Sequence, residues 1–506
     1  MTNCAKDSVR YLRSFRYWLS ILVIIVVQIV GASCSSIVAI DSKHDRMVAT
    51  GSDATGLLLE ESVPKPFQPS EEKKARLDTI YVLSPAERAA GKPSVVLKGN
   101  LPLFPYMYLE SENTYAVHPM AMGRYIKEKA TKEQLEMIVS LAAPTKNDGL
   151  AWFYPSHYKN VRMQGPFWRY SCISQGTILA GFTRRAINTD GDFSIARKVF
   201  KGMMLDYFEG GVNLENRALL EMPSYLGAPE IILNGWLDAL IHIQDYAEAS
   251  GDEEAQEFLL RNLLFLAETL DHFDVPGEEI SRYSDLCPYR ISLRTENVGI
   301  PEYYVEYRPL HEGFRSMRYK LRELSQETMS LYDNQITGRN GNILKATISA
   351  SALYDTVILS SAPFEVTLNT GTMNLVSSTP SGIGKVITAV SKKTERGLHE
   401  LILDADWSSM IRGYPTNFSK TGKQNLYHSY HIVALMLLAK NCPIPEMSRK
   451  QLLSYALKWK SYISTKPIPR DYSFSDLDKV FATLNLNRAV LELMDYPTLQ
   501  SWATNN

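Results

Sequence analysis

Three short stretches of the chain carry side chains of the kinds that move protons or bind metal ions. The first begins at Glu221, in the run E-M-P, and includes Tyr225. The second is I-S-R-Y-S-D-L, which contains Tyr283. The third is L-Y-H-S-Y-H-I, which contains Tyr427, His428 and His431. Carboxylates, phenols and imidazoles are common general acids and bases, so these stretches form the candidate site.

The third stretch has the spacing of a helix face. Tyr427 and His431 are i,i+4 neighbours on a helix, and His428 and His431 are i,i+3 neighbours. A His-x-x-His pair is compatible with metal binding, but no third ligand is evident in the sequence, so we expect no metal. A tyrosine or histidine at a helix start is also commonly a structural residue, and that alternative stays open.

Glu221 lies in a loop that leads directly into a helix. The loop, which starts at Gly210, contains Gly, Pro and Asn residues. From Leu233 onward, apolar residues recur every three or four positions, which predicts a helix with one buried face. Glu221 and Asn234 therefore lie where a loop meets a rigid element, and functional sites favour such places. An ordinary connection between two helices is the alternative.

Short polar turns recur at a fixed interval. Thr131, Gly191 and Gly251 each lie in such a turn, and 60 residues separate each from the next. A fixed period of helix, tight turn and helix indicates a repeat. Together with the long connections between hairpins, the period predicts an α/α toroid, that is, an incomplete α/α barrel; irregular helix packing is the alternative. We expect the helices to start near His118, and Asp252 to cap the helix that follows Gly251.

A β-rich segment interrupts the helical pattern. After Tyr289, β-branched and alternating runs predict antiparallel strands between residues 342 and 406, and one earlier strand is predicted at Thr79–Leu83. The helical pattern returns at Asn425, so the predicted fold is mainly α with an inserted β-rich part. The predicted domains are residues 1–34 (signal or anchor), 35–110 (linker and small N-terminal lobe), 111–290 (first part of the toroid), 291–420 (β-rich insert) and 421–506 (closing helices).

The N-terminus has the pattern of a targeting segment. Basic residues between Lys6 and Arg16 precede an apolar run from Trp18 to Ala32. The run V-G-A-S-C resembles a bacterial lipoprotein cleavage site with Cys34 as the lipidated residue, and an uncleaved signal anchor is the alternative. Under either interpretation we expect membrane attachment through the N-terminus. The rest of the chain would then lie outside the cytosol, in a bacterial periplasm, on a cell surface or in a Golgi lumen.

Composition sets outer limits on the function. A formal net charge of -1 gives no sign of a surface for polyanions overall, and we expect no nucleic-acid partner; locally basic grooves are the alternative that stays open. Hydrophobic residues make up 45% of the 506-residue chain, which is ample for large cores. The five cysteines form no CxxC pair, so neither a zinc site nor a disulfide framework is predicted.

Taken together, the three stretches resemble the catalytic domain of the D-glucuronyl C-5-epimerases, which convert glucuronate to iduronate in heparan-type chains. The resemblance rests on the order of several short motifs and on a similar C-terminal helix. The motifs are E-M-P followed by L-N-G (221–235), R-Y-S-D-L (282–286), Y-H-S-Y-H-I (427–432), W-R-Y-S-C-I-S-Q-G (168–176), V-H-P (117–119) and L-K-W-K-S-Y-I (457–463).

The resemblance implies an α/α toroid with a β-rich domain, cofactor-free proton transfer at carbon 5, and an acidic polysaccharide containing uronic acid as substrate; a homodimer is compatible with it. It implies Tyr283, Tyr427 and Glu221 as catalytic residues. It also implies a set of substrate-binding residues, namely Tyr225, Asn234, His428, His431, Trp168 and Gln175.

Two features depart from the family pattern. The family has tyrosine in the middle of E-Y-P, where this chain has Met222, and Tyr225 is a candidate to supply the missing phenol. The β segment of the family lies mostly before the helices, whereas here it interrupts them.

The implied chemistry leaves three functions open. Removing the proton at carbon 5 builds an enolate, and returning it from the opposite face gives epimerisation. Loss of the oxygen at carbon 4 from the same enolate gives β-elimination, so a polysaccharide lyase is an alternative. A surface protein that binds glycans without catalysis is the other.

Overall fold

The computed structural model describes residues 61–105, 113–158, 167–189, 191–221, 223–275, 280–296, 301–323, 333–369, 372–373, 380–381, 386–403 and 425–465. The predicted signal or anchor at residues 1–34, with Cys34, lies outside these ranges, and so does Met222. Within these ranges, no helix is both long and apolar enough to cross a membrane.

Ten α-helices lie in the described part of the chain. They are α1 (Glu71–Leu77), α2 (Pro85–Ala89), α3 (Pro119–Glu128), α4 (Lys132–Leu141), α5 (Cys172–Asn188), α6 (Ser194–Met203), α7 (Leu233–Ser250), α8 (Glu253–Thr269), α9 (Asn425–Asn441) and α10 (Glu446–Thr465). Two 3-10 turns, Tyr207–Glu209 and Leu270–Phe273, accompany them.

The strands of the described ranges lie between these helices in the sequence. They are β1 (Ile80–Val82), β2 (Val96–Lys98), β3 (Leu101–Pro105), β4 (Thr114–Ala116), β5 (Ala143–Pro144), β6 (Leu150–Ala151), β7 (Asn213–Leu214), β8 (Ala218–Leu219), β9 (Asp274–Val275), β10 (Ile280–Ser281), β11 (Leu286–Thr295), β12 (Tyr303–Pro309), β13 (Met317–Lys320), β14 (Arg322–Glu323), β15 (Gln335–Asn340), β16 (Ile343–Ser351), β17 (Tyr354–Ser360), β18 (Phe364–Asn369), β19 (Thr372–Met373), β20 (Pro380–Ser381), β21 (Val386–Val390), β22 (Lys392–Lys393) and β23 (His399–Leu403).

Each of the three predicted turns joins two helices, as the sequence predicts. His118 caps α3, and Thr131 caps α4 in a capping box. Gly251 ends α7 in the left-handed region, and Asp252 then caps α8 by accepting hydrogen bonds from two N–H groups of its first turn. The side-chain caps at His118, Thr131 and Asp252 satisfy backbone N–H groups that a helix start would otherwise leave unpaired.

Contacts bring the three turns to one end of the helices. Arg185, in the last turn of α5, donates a hydrogen bond to the Ala130 carbonyl beside Thr131 at 2.9 Å. Gly191 and Gly251 line one groove with a cavity volume of about 700 Å³. The helix hairpins that repeat every 60 residues therefore point in the same direction.

The helices form two packed levels. Helices α3, α5, α7 and α9 lie side by side, while α6 packs on α5, α8 on α7, and α10 on both α8 and α9. Helix α3 approaches α5 so closely that a Cβ on Gly123 would lie 2.2 Å from the Thr177 carbonyl oxygen, so only glycine fits there. Paired helices in two levels agree with the predicted toroid, and their closure into a ring stays a prediction.

Two larger sheets lie between α8 and α9 in the sequence. One has the strand order β14–β15–β16–β11–β18–β21, and the other β13–β12–β17–β23–β22; all neighbours are antiparallel except β14 and β15. Strands β16, β17, β18, β21 and β23 coincide with the alternating runs of the sequence, which confirms antiparallel sheets in this region. A smaller sheet of order β1–β4–β3–β2 is formed by strands that precede α3 in the sequence, and its β1 confirms the strand predicted at Thr79–Leu83.

Candidate active site

Glu221 packs against the first turn of α7. It follows β8, and the loop that continues from it reaches the helix at Leu233. The carboxylate lies so close to Gly235 that a Cβ on this residue would be 2.3 Å from Oε2 and 2.8 Å from the Glu221 Cβ. Only glycine allows this contact, and Gly235 is the glycine of the L-N-G run.

The start of α7 is a favourable place for a negative charge. Unpaired N–H groups and the helix dipole give a helix start roughly half a positive charge. Glu221 is 5% exposed, and Asn234, the second residue of the helix, is 3% exposed. No described residue donates a hydrogen bond to the Asn234 Oδ1 atom. The helix start thus combines a buried carboxyl group with an amide oxygen that can accept a hydrogen bond.

The segment that carries Tyr283 is bonded to the same helix start. The Leu233 N–H donates to the Tyr283 carbonyl oxygen at 2.9 Å, and Ile232 forms an antiparallel bridge with Ser284. The Tyr283 side chain is buried. Leu233 and Gly235, two residues apart on one helix, therefore hold the Tyr283 segment and Glu221.

The two residues after Tyr283 fix the loop before α7. Ser284 donates to Glu230 at 2.5 Å, and the Ile231 N–H donates to Asp285 Oδ1 at 2.7 Å. Ser351, at the end of β16, donates to the other carboxylate oxygen of Asp285 at 2.7 Å. Burial raises the pKa of Asp285 to about 7, although the hydrogen bonds from Ser351 and Ile231 oppose the rise. The S-D pair of R-Y-S-D-L therefore anchors the loop before α7.

Ser281, two residues before Tyr283, contacts both histidines of the third stretch. Its N–H donates to His428 Nδ1 at 3.0 Å, and its Oγ lies 2.8 Å from the Nδ1 atoms of His428 and His431. The His428 Nε2 atom lies 2.9 Å from the Trp459 carbonyl oxygen. Burial lowers the pKa of His428 to about 4 and lowers that of His431 as well, so both rings are neutral at pH 7. Segments almost 150 residues apart thus meet at one hydroxyl group.

Both imidazoles use their Nδ1 atoms for Ser281. In the described ranges, no group of three or more His, Cys, Asp or Glu residues is arranged to hold a metal ion. For chemistry, the described residues offer a carboxyl group, a phenol and neutral imidazoles.

Tyr427 belongs to the first turn of α9 and immediately precedes His428. Its side chain lies outside the described residues, so the structure gives its backbone position only. That position is next to the histidine that Ser281 holds. At the level of the backbone, the segments of Glu221, Tyr283 and Tyr427 are connected through α7 and Ser281.

Asp238 and Tyr430 form a buried pair that the sequence did not single out. The Tyr430 hydroxyl donates to Asp238 Oδ1 at 3.1 Å and joins α9 to α7. Asp238 is three residues after Gly235, so it lies on the same face of α7. Burial raises the pKa of Asp238 to about 8, opposed by the Tyr430 hydrogen bond and the Arg124 charge. In the sequence, Asp238 could have been identified as an acidic residue within the apolar stripe of a helix.

Tyr225 is hydrogen-bonded to Gly210, where the loop that leads to α7 begins. Its hydroxyl donates to the Gly210 carbonyl at 2.8 Å, and its ring stacks on Tyr207 with 5.9 Å between centroids. Burial raises its pKa, and the Arg169 charge opposes the rise. That Tyr225 supplies the phenol absent at Met222 stays a prediction, and such a role requires breaking this hydrogen bond.

Trp168 lies just before α5, and Gln175 lies within it. The Trp168 backbone pairs with the Gln68 amide through hydrogen bonds of 3.0 and 3.1 Å. Gln175 donates from Nε2 to the Trp152 carbonyl at 3.3 Å, and no described residue donates to its Oε1 atom. Substrate binding by these two residues stays a prediction.

One comparison with known proteins bears on this site. Residues 146–295 match the family model described as D-glucuronyl C5-epimerase C-terminus. The match confirms the resemblance over that segment, which is less than a third of the chain. It includes Glu221, Asn234 and Tyr283 and ends before α9, so Tyr427 lies outside it. No curated protein and no solved structure matches the chain significantly.

Proposed function

We propose that the chain is an epimerase that inverts carbon 5 of glucuronate residues in a polysaccharide, giving iduronate without a cofactor. The observation that carries the proposal is the meeting of two predicted catalytic segments at the start of α7. Glu221 packs on Gly235 there, and the Tyr283 segment is bonded to Leu233. The family match covers both contacts and suggests a uronate epimerase.

The proposed reaction passes through a negatively charged intermediate, and the positive potential at the start of α7 suits that charge. The hydrogen at carbon 5 is α to the carboxylate, so its removal places negative charge on two oxygen atoms. Hydrogen-bond donors and positive potential stabilise such an enolate. The first turn of α7 supplies that potential, and Glu221 shares a proton with the uronate carboxylate, because two close carboxylates rarely both ionise.

Inversion requires two proton-transfer groups, one on each face of the sugar ring. We assign these roles to Tyr283 and Tyr427. A phenol, whose ordinary pKa is about 10, becomes a base near neutral pH when positive charge or hydrogen bonds favour its ionised form. Asn234 is assigned to bind a sugar hydroxyl, because its Oδ1 atom accepts no hydrogen bond from the described residues.

The proposal also covers the closure of the helices into a toroid and the cellular location of the chain. Closure of the row α3, α5, α7 and α9 into a toroid would leave a cleft for a polysaccharide at the end where α7 begins. Residues 1–34 would attach the chain to a membrane, with the catalytic part outside the cytosol.

Incubation of the purified protein with heparosan in heavy water tests the reaction. We expect deuterium at carbon 5, iduronate in the product and no new ultraviolet absorbance. A product that absorbs through a conjugated double bond would instead show β-elimination by a lyase. Binding of heparosan without exchange or cleavage would indicate a glycan-binding protein. Either of the last two results overturns the proposed epimerisation.

The changes Tyr283→Phe and Tyr427→Phe test the assigned roles. Each removes the transferable proton and keeps the ring, so inversion should fall about 10²- to 10⁴-fold while the protein stays folded. Each variant should also lose exchange from one epimer more than from the other. Tyr246→Phe is the matched control, because Tyr246 is a buried phenol near the other end of α7, where it donates to Asp252 at 2.7 Å. Near wild-type inversion by both variants contradicts the assignment.

A further inference from the structure

One hydroxyl group connects the Tyr283 segment to the start of α9. Ser281 is buried in β10, and its Oγ lies 2.8 Å from two imidazole nitrogens on α9. Tyr283 follows Ser281 by two residues, and Tyr427 directly precedes His428. A shift at Ser281 would therefore displace the segments of both tyrosines.

The partners determine where the hydrogens of His428 lie. A carbonyl oxygen only accepts, so His428 Nε2 carries the hydrogen that it donates to Trp459. A neutral imidazole has one N–H, so the Nδ1 atom of His428 carries no hydrogen and accepts the Ser281 N–H. The Ser281 Oγ atom is 2.8 Å from the same nitrogen. The hydroxyl hydrogen must lie between them, because two facing lone pairs repel.

The same hydroxyl then determines the tautomer of His431. Since the hydroxyl hydrogen points to His428, the Ser281 oxygen can only accept from His431, whose Nδ1 atom therefore carries the ring hydrogen. The His431 Nε2 atom is left without a hydrogen, and no described residue forms a hydrogen bond with it. Hydrogen bonds thus run in one direction, from His431 through Ser281 and His428 to the Trp459 carbonyl.

We propose that Ser281 is a positioning residue, which fixes both imidazoles and so holds the Tyr283 segment against the start of α9, setting the separation of Tyr283 and Tyr427 across the substrate. The inference rests on the proposed function, which assigns proton transfer to these two phenols. The neutral state of the rings agrees with it, because burial lowers the pKa of both histidines.

Other contacts secure this region without Ser281. The Arg282 N–H donates to the Phe273 carbonyl at 2.6 Å. Asp274, in β9, accepts from Trp459 Nε1 at 2.9 Å and from the Tyr462 hydroxyl at 3.0 Å. Removal of the hydroxyl should therefore leave the fold intact and change only the local alignment.

The change Ser281→Ala tests the role in the full-length protein. A small misplacement of reacting groups can cost about 10²-fold in rate, so we expect kcat on heparosan to fall by that order. KM should change less than kcat, because the change removes no group that is assigned to bind substrate. Ser281→Thr keeps an oxygen at the same position and should restore much of kcat. Ser360→Ala is the control, because it removes another buried hydroxyl, which accepts the Ala362 N–H at 3.4 Å, and should keep wild-type kcat.

A second measurement does not depend on activity. With ¹⁵N-labelled histidine in the full-length chain, which has nine histidines, long-range NMR spectra report the tautomer of each ring. We expect wild-type His431 in the Nδ1–H form and a shift toward the Nε2–H form in Ser281→Ala, since the latter form is intrinsically favoured in free histidine. Unchanged tautomers would overturn the hydrogen-bond chain even if the protein is an epimerase. Changed tautomers with a wild-type kcat would overturn the positioning role. If the wild-type protein is inactive on heparosan but Ser281→Ala still shifts the tautomers, the proposed function and the positioning role are refuted. The hydrogen-bond chain then stands.

Discussion

Gly235→Ala is the most direct test of the contact between Glu221 and α7. The added methyl group would lie 2.3 Å from Oε2, 2.8 Å from Cδ and 2.8 Å from Cβ of Glu221. Rotation of the glutamate side chain can relieve the first two contacts. It cannot relieve the third, because the position of Cβ is fixed by the backbone, so the loop or the helix must move.

The expected free-energy change has two opposing parts. Overpacking of a well-packed site costs about 1–3 kcal/mol. Replacing glycine by alanine inside a helix stabilises it by up to about 1 kcal/mol. We therefore expect Gly235→Ala to lower the free energy of unfolding by roughly 1–2 kcal/mol. The proposed epimerase activity should fall as well, because the carboxylate is displaced from the helix start.

A double-mutant cycle isolates the contact. Glu221→Gly removes all three close atoms, so in that background Gly235→Ala should become neutral or stabilising. The coupling free energy should be about 1–3 kcal/mol. In a Glu221→Ala background the contact with Cβ remains. Less of the destabilisation caused by Gly235→Ala should therefore be relieved there than in the Glu221→Gly background.

Urea unfolding of the four proteins of the cycle gives these values, provided that the denaturant slopes agree. The reasoning would be refuted if Gly235→Ala alone were stabilising. Additive effects of the two changes in the Glu221→Gly cycle would refute it equally.

Two further changes test the buried acid and the N-terminus. The pKa of Asp238 rises from 3.8 to about 8 on folding, so its protonation favours the folded state below pH 4, and this contribution is lost as the pH rises toward 8. Asparagine does not titrate. The loss in the free energy of unfolding that Asp238→Asn causes, measured by urea unfolding, should therefore shrink by several kcal/mol between pH 4 and pH 8. A loss that is equal at both pH values would contradict a neutral Asp238 carboxyl group. Deletion of residues 1–34 should give a soluble folded protein, and continued partitioning into membranes in a flotation assay would show that another surface binds them.

Local patterns in the sequence predict many of the elements. The turns at Thr131, Gly191 and Gly251, the return of helix at Asn425 and the alternating strands are each determined by neighbours within a few residues. Capping, helical periodicity and alternation act at that range, so a single sequence reveals them. The onset of the β-rich part is less visible, because β11 begins at Leu286 and contains a proline.

Pairing explains why that proline is tolerated. At Pro288, β11 is paired with β16, whereas its pairing with β18 begins only at Arg290. The proline therefore lies where one side of the strand has no partner strand among the described residues, and the missing N–H costs no ladder bond on that side. The sequence alone cannot reveal which side of a strand is covered.

The candidate site is predicted less completely, because its contacts join distant segments. The sequence identifies Glu221, Tyr283 and the two histidines by residue type and order. It does not indicate that Ser281 bridges His428 and His431, or that Asp238 bonds to Tyr430. Hydrogen bonds between residues more than 140 positions apart leave no periodic pattern in the chain.

Three attachments of the site fall within six consecutive residues of α7. The Tyr283 segment bonds to Leu233, Glu221 packs on Gly235, and Tyr430 of α9 bonds to Asp238. With a rise of about 1.5 Å per residue, these points span less than about 8 Å of one rigid element. The family match includes the first two attachments and ends before the third. The proposed inversion assigns one proton-transfer group to α9 and the other to the matched segment, so it would depend on the contacts that hold α9, at Asp238 and at Ser281.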